Sequence, residues 1–259
     1  LKVSRDNRFL AYSVDLISRR RYTIHFIDLQ TMQPLQDKIE NTSGNIIWAA
    51  DNKTVFYVSR DPLTLRSDRV FRHQLGNNKA EDKEVFFEDD ETFSVSLRET
   101  KSRKYILLHS SQTLSTEVRY IDAFDPEAGI KIFEPRKINH EYEVDHLGNN
   151  FYILTNADRA SNFKLMTTPE NKTSFESWKE VIPHRKDVLL EGFELFDSYL
   201  VTNERIKGIN NLRIINTTDK SDHYIDFGEE AYTAGIGINH NSDSEVLRYS
   251  YSSLTTPGS

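Results

Sequence analysis

A repeat constrains this chain more than any other feature of its 259 residues. Short apolar segments recur as Leu10-Ala11-Tyr12-Ser13, Val55-Phe56-Tyr57-Val58, Ile106-Leu107-Leu108-His109, Tyr152-Ile153-Leu154-Thr155, Tyr199-Leu200-Val201-Thr202 and Leu247-Arg248-Tyr249-Ser250. Their starts, at 10, 55, 106, 152, 199 and 247, lie 45, 51, 46, 47 and 48 residues apart. Asp, Asn and Gly, which suit tight turns, precede several of them, as in Ser4-Arg5-Asp6-Asn7, Ala50-Asp51-Asn52 and Leu147-Gly148-Asn149-Asn150. A second strand-like segment follows each of the first five after 12, 14, 11, 11 and 12 residues, starting at Tyr22, Arg69, Glu117, Phe163 and Asn211.

Each unit also offers a leading segment (45–50, 92–97, 141–145, 189–195, 232–238). Four offer a trailing one (84–87, 130–133, 178–182, 223–227). Four antiparallel strands recurring every ~40–50 residues are the pattern of a propeller blade. The chain is therefore expected to be all-β, a β-propeller fragment over 1–259 with about five blades and part of a sixth. The first blade is expected to lack its leading strand, and the sixth to break off after Tyr251. A pair of β-sandwiches is the weaker alternative, because sandwiches carry no repeat of this length. A chain that stops inside a blade leaves open strand edges, so the intact protein is expected to extend on both sides.

Composition narrows the partners. With 33 Lys and Arg against 40 Asp and Glu, the net charge of −7 gives no basic face to neutralise phosphates, so nucleic acid is not expected. No apolar run approaches the roughly 20 residues of a membrane span, and no membrane partner is expected. The chain has no cysteine, which rules out disulfides and thiolate chemistry. It suits a reducing, cytoplasmic compartment, with the periplasm as the alternative.

No catalytic machinery is legible. A Gly-x-Ser-x-Gly nucleophile elbow, whose glycines permit a strained strand-to-helix turn, is missing from the sequence. Of His140, Glu141 and His146, the two histidines are six residues apart in an expected strand rather than four apart on a helix, so neither metal nor other cofactor is expected. Gly235 and Gly237 lack the rest of a dinucleotide fingerprint. Two charge clusters stand out. Glu88-Asp89-Asp90-Glu91 reads as an acidic loop between blades that could steer cationic peptides, and Arg19-Arg20-Arg21, near Asp15, reads as a solvated loop that could instead pair with carboxylates of a neighbouring domain.

Longer stretches carry a family resemblance. Ser18-Arg19-Arg20-Arg21-Tyr22-Thr23-Ile24, Val70-Phe71-Arg72-His73, Ser115-Thr116-Glu117-Val118-Arg119-Tyr120 and His140-Glu141-Tyr142-Glu143-Val144-Asp145-His146 are similar to the propeller of oligopeptidase B-type enzymes. So are Ile182-Pro183-His184-Arg185, Leu189-Leu190-Glu191-Gly192-Phe193 and the closing run from Tyr249 to Pro257. These enzymes belong to the prolyl oligopeptidase family of serine peptidases. The resemblance implies a seven-bladed propeller followed by an α/β-hydrolase domain on the same polypeptide, with a Ser, Asp and His triad. It further implies short basic oligopeptides as substrates, cleaved after Lys or Arg, with the propeller limiting access.

On that reading this chain is the gating, non-catalytic part and is inactive alone. Asp15, Arg19, Arg20 and Arg21 are the candidates for the domain interface. A free-standing propeller that binds a protein partner is the alternative. A propeller glycosidase is weaker still, since no carboxylate pair is singled out by position.

Overall fold

The computed structural model describes residues 1–258. Strands are numbered in chain order. The chain divides into two compact units, Leu1–Asn139 and His140–Ser259. Among the described residues, no helix is long and apolar enough to cross a membrane.

In the first unit, seven strands form one antiparallel sheet in sequence order: β1 (Lys2–Val3), β2 (Phe9–Val14), β3 (Tyr22–Asp28), β4 (Gln33–Trp48), β5 (Thr54–Arg60), β6 (Ser67–Gln74) and β7 (Lys83–Phe87). It is two four-stranded blades sharing the 16-residue β4. The first half of β4 pairs with β3, the second half pairs with β5, and the register shifts between Thr42 and Ile46. Gly44 turns this corner at φ +85°, a conformation that disfavours a side chain. A Cβ there would meet the Ser13 hydroxyl and the Tyr22 ring, each at 3.1 Å. The third blade follows, with β8 (Ser94–Glu99), β9 (Tyr105–Gln112), β10 (Ser115–Asp122) and β11 (Lys131–Glu134) in a meander.

Two expectations are corrected here. The first repeat does have a leading strand, since Lys2 and Val3 pair with Ala11 and Leu10. It also has a trailing one, the first half of β4, hidden in the sequence because the chain runs into the next blade without a turn.

In the second unit, β12 (Tyr142–Leu147), β13 (Asn150–Thr155), β14 (Lys164–Pro169) and β15 (Lys179–Ile182) form one four-stranded sheet. A second contains β16 (Val188–Leu195), β17 (Tyr199–Ile206), β18 (Ile209–Asn216) and β19 (Asp222–Tyr224), and β20 (Tyr232–Ile236) pairs with β21 (Tyr249–Ser253). The last apolar segment of the repeat thus starts two residues later than its spacing indicates. Among the described residues, five four-stranded antiparallel blades and a two-stranded sixth agree with the expected all-β propeller pattern.

Burial explains why the repeat was readable. A blade's second strand is covered on both faces, so its residues are apolar in unbroken runs. Thr54 through Val58 are all buried, as are Tyr105 through Leu108. Val55 and Tyr57 point into a cluster with Ala11, Ile24, Phe26 and Ile39 of the first blade. Phe56 and Val58 point the other way, onto Val95, Leu97, Ile106 and Leu108 of the third. Each such side chain contributes roughly 1.5–3 kcal/mol by leaving water. A smaller cluster, with Leu154, Leu165, Leu190 and Leu200, joins the two full blades of the second unit. Trailing strands carry less: Asp222–Tyr224 are all exposed.

Candidate domain-facing rim

The four residues marked as interface candidates lie in one loop, between β2 and β3. The Asp15 carboxylate accepts the main-chain N–H groups of Ile17 at 3.2 Å and Arg20 at 2.6 Å. To bring those groups around it, Ser18 and Arg20 adopt left-handed backbone, at φ 52° and 58°. Desolvation works to raise the Asp15 pKa. The surrounding N–H groups of Arg19, Arg20, Ile17 and Ser18 outweigh it and hold the carboxyl below its ordinary range. Asp15 is thus committed to shaping the loop and forms no ion pair with the arginines.

The arginines divide. Arg21 donates through Nη2 to the Pro62 carbonyl at 2.7 Å, and Arg60 donates back to the Arg20 carbonyl at 2.7 Å. These two bonds tie the β2–β3 loop to the β5–β6 loop of the next blade. The latter is itself wound on Asp61, which accepts from the N–H groups of Leu63 (2.9 Å) and Thr64 (2.7 Å). One step along, Arg66 donates to the carbonyls of Glu88, Asp90 and Phe93, each at 3.0 Å, and so secures the β7–β8 connection. This rim of the first unit is a layer of loops stitched by arginine-to-carbonyl bonds. Arg19 and Arg20 stand out from it exposed. Beside them, Leu16 and Leu63 are 88% and 91% exposed.

The acidic run Glu88–Glu91 does not act as one patch. Glu88 is buried: it accepts from the Ser110 hydroxyl in a short hydrogen bond, from Arg136 Nη2 at 2.5 Å and from the Asp90 N–H at 3.1 Å. Asp90 holds Thr92 through its N–H and hydroxyl, at 2.9 and 2.6 Å. Only Asp89 and Glu91 remain as simple solvated charges at the surface. The Arg136 N–H bonds Glu117, whose other oxygen takes the Arg119 guanidinium at 2.7 Å, so a chain of alternating charges links the β7–β8 and β11–β12 connections. Arg136 lies 19 positions from Glu117 and 48 from Glu88, and no local motif announces these two contacts.

The second unit holds a comparable centre of its own. Buried Glu204 takes Arg185 Nη2 at 2.6 Å, the Tyr224 hydroxyl at 2.7 Å and the Thr202 hydroxyl at 3.0 Å. His140 bonds the Thr155 hydroxyl at 3.0 Å, and His146 sits 3.3 Å from Glu170, so the two histidines serve separate partners.

Residues 1–259 match the family described as "Prolyl oligopeptidase, N-terminal beta-propeller domain". Among curated proteins, the chain is 42% identical over 256 residues to dipeptidyl aminopeptidase BI of Pseudoxanthomonas mexicana, covering 99% of this chain and 35% of that protein. It is 28% identical over 258 residues to protease 2 of Moraxella lacunata, covering 99% and 36%. Among solved structures, oligopeptidase B from Leishmania major superposes with a TM-score of 0.92 at 27% identity, over 100% of this chain and 38% of that one. Oligopeptidase B from Trypanosoma brucei, in a closed form with covalently bound antipain, gives 0.90 at 26% identity, over 100% and 37%. The chain thus spans little more than a third of the length of these relatives. With its full length matched, it belongs to the prolyl oligopeptidase family, as a β-propeller domain of that family.

Proposed function

We propose that residues 1–259 act as the access-limiting propeller of a serine peptidase whose α/β-hydrolase domain lies on the same polypeptide. The observation that carries this reading is the full-length match to a peptidase propeller in a sequence with no nucleophile elbow. The propeller's contribution is steric: it admits short peptides and excludes folded proteins, while chemistry belongs to the hydrolase part. Asp15 holds the loop from which Arg19 and Arg20 reach that domain, and Arg21 braces the loop against its neighbour. Short oligopeptides cleaved after Lys or Arg are the substrate class, supported by the likeness to two oligopeptidase B structures. A cytoplasmic setting fits a cysteine-free chain.

A second reading draws on the 42% identity to a protein named a dipeptidyl aminopeptidase. Such an enzyme removes dipeptides from a free amino terminus, so the two readings differ in whether a blocked terminus is tolerated. The test is hydrolysis by the intact protein of two fluorogenic peptides ending in Arg at the scissile bond, one blocked at its N-terminus and one a free dipeptide. Turnover of the blocked peptide supports the endopeptidase. Turnover of the free dipeptide alone supports the aminopeptidase. Silence on both, with residues 1–259 folded, favours a free-standing interaction propeller.

A further inference from the structure

The seam between the first two blades contains a buried histidine held between two carboxylates. His73, on β6, places Nδ1 2.6 Å from Asp82 Oδ1 and Nε2 3.2 Å from Asp37 Oδ1. Asp82 and His73 belong to the second blade, while Asp37 lies on the first half of β4, the outermost strand of the first. The Asp37 oxygen also accepts the Gly76 N–H at 2.6 Å. Residues 75–82, which connect β6 to β7, therefore reach across the seam. Lys79 adds a second tie by donating to the Glu40 carbonyl at 2.6 Å.

We propose that Asp37, His73 and Asp82 form a protonation-controlled latch across this seam, closed while the imidazole is charged and released when it is neutral. The chemistry of the ring dictates which bond is lost. Two carboxylates need two N–H donors, and only the imidazolium has both. Once neutral, the ring keeps one hydrogen. The 2.6 Å contact to Asp82 is the stronger claimant, because the Tyr57 hydroxyl already orients Asp82 from its other oxygen at 2.8 Å. Nε2 then turns a lone pair towards the Asp37 carboxylate, and the bond that fails is the one between blades.

The other groups around the ring do not compete for this role. From β3, Phe26 stacks on His73 with centroids 6.1 Å apart, and His25 lies across from Lys38. On β4, Lys38 and Glu40 pair with each other at 2.6 Å. On β6 itself, Arg72 is occupied by Glu127 and the Pro126 carbonyl, and Arg69 by Glu84 of β7. In the 3-10 turn of Lys79–Glu81, Lys79 is fixed as described, and Glu81 is exposed. Burial works to lower the His73 pKa, but the hydrogen bonds and charges of Asp82 and Asp37 outweigh it and leave the value raised. The latch is therefore fully closed below the ordinary imidazole value of about 6.5 and opens as pH rises through the raised one.

The Gly76 amide reports directly on Asp37. Hydrogen exchange of the full-length protein, read at 75–82 at pH 6 and pH 9 and corrected for intrinsic rates, is expected to accelerate about tenfold at the higher pH, as the loss of one charge-assisted hydrogen bond requires. Asp37→Asn should abolish that response, because a carboxamide can donate to the neutral Nε2. His73→Gln should abolish it as well, and Tyr57→Phe should retain it. Corrected rates that do not change with pH in the wild-type protein would overturn the latch, as would Asp37→Asn or His73→Gln responding like wild type.

Discussion

The guanidinium of Arg136 lies 2.5 Å from the buried Glu88 carboxylate and stacks over the Phe93 ring at 4.0 Å. Arg136 thereby neutralises a charge that the fold has withdrawn from water. Replacing Arg136 by Ala leaves Glu88 buried without its cation, at a cost of about 3 kcal/mol, near the low end for breaking a buried pair because the arginine itself is partly exposed. Arg19→Ala, exposed and with no side-chain partner among the described residues, should stay within about 0.5 kcal/mol. Thermal unfolding of the two variants checks the contrast. Similar midpoints would mean that water reaches Glu88.

The same pair sets an acid limit. Desolvation acts to raise the Glu88 pKa, but the bonds from Arg136 and Ser110 outweigh it and hold the value below the ordinary range. A carboxylate with a depressed folded-state pKa contributes stability that is present above its unfolded value of about 4.3 and is lost as pH falls through the folded one. Below about pH 4 the wild-type chain should therefore lose stability more steeply with falling pH than Glu88→Gln. Parallel denaturation series at pH 3, 4 and 6 would reveal it, and parallel slopes would count against the assignment.

Gly44 offers a sharper test of the shared strand. Its left-handed backbone costs a residue with a Cβ roughly 1–2 kcal/mol, and that Cβ would also crowd Ser13 and Tyr22. Gly44→Ala should destabilise the first unit by about 2 kcal/mol or more. Gly76→Ala, with a φ of +90° but open space around the Cβ, should cost only the backbone part. Equal losses from the two substitutions would show that packing at the β4 corner is slack.

What was legible in the sequence follows from how each element is buried. Runs such as Val55-Phe56-Tyr57-Val58 are apolar because both their faces are covered, and a two-sided constraint repeats visibly. β1 was invisible because two exposed residues need no pattern to pair with Leu10 and Ala11. The passage through Thr42 and Gly44 is not legible in the sequence, because a bend within a continuous strand resembles a gap between two strands. Glu88 read as one acid among four, since its burial depends on Ser110 and Arg136, 22 and 48 residues away. His73 was likewise one histidine among eight until Asp37 and Asp82 were placed on either side of it.

The arginine loop is legible in the sequence from its charge, and its exposed position makes its role separable from stability. Arg19 and Arg20 are exposed, so reversing both to Glu should leave the unfolding midpoint of residues 1–259 nearly unchanged. If they face carboxylates of a hydrolase domain in the intact protein, the double reversal replaces attraction by repulsion. Exposed pairs contribute about 0.2–1 kcal/mol each, so with two of them lost kcat/KM for a short basic peptide should shift by roughly two- to thirtyfold. The shift should shrink as salt screens the contact. Arg21→Glu gives a different signature, because Arg21 braces Pro62, and should loosen the loop itself. Unchanged kinetics at low salt in the Arg19 and Arg20 double variant would remove the loop from the interface and leave it a solvated hairpin.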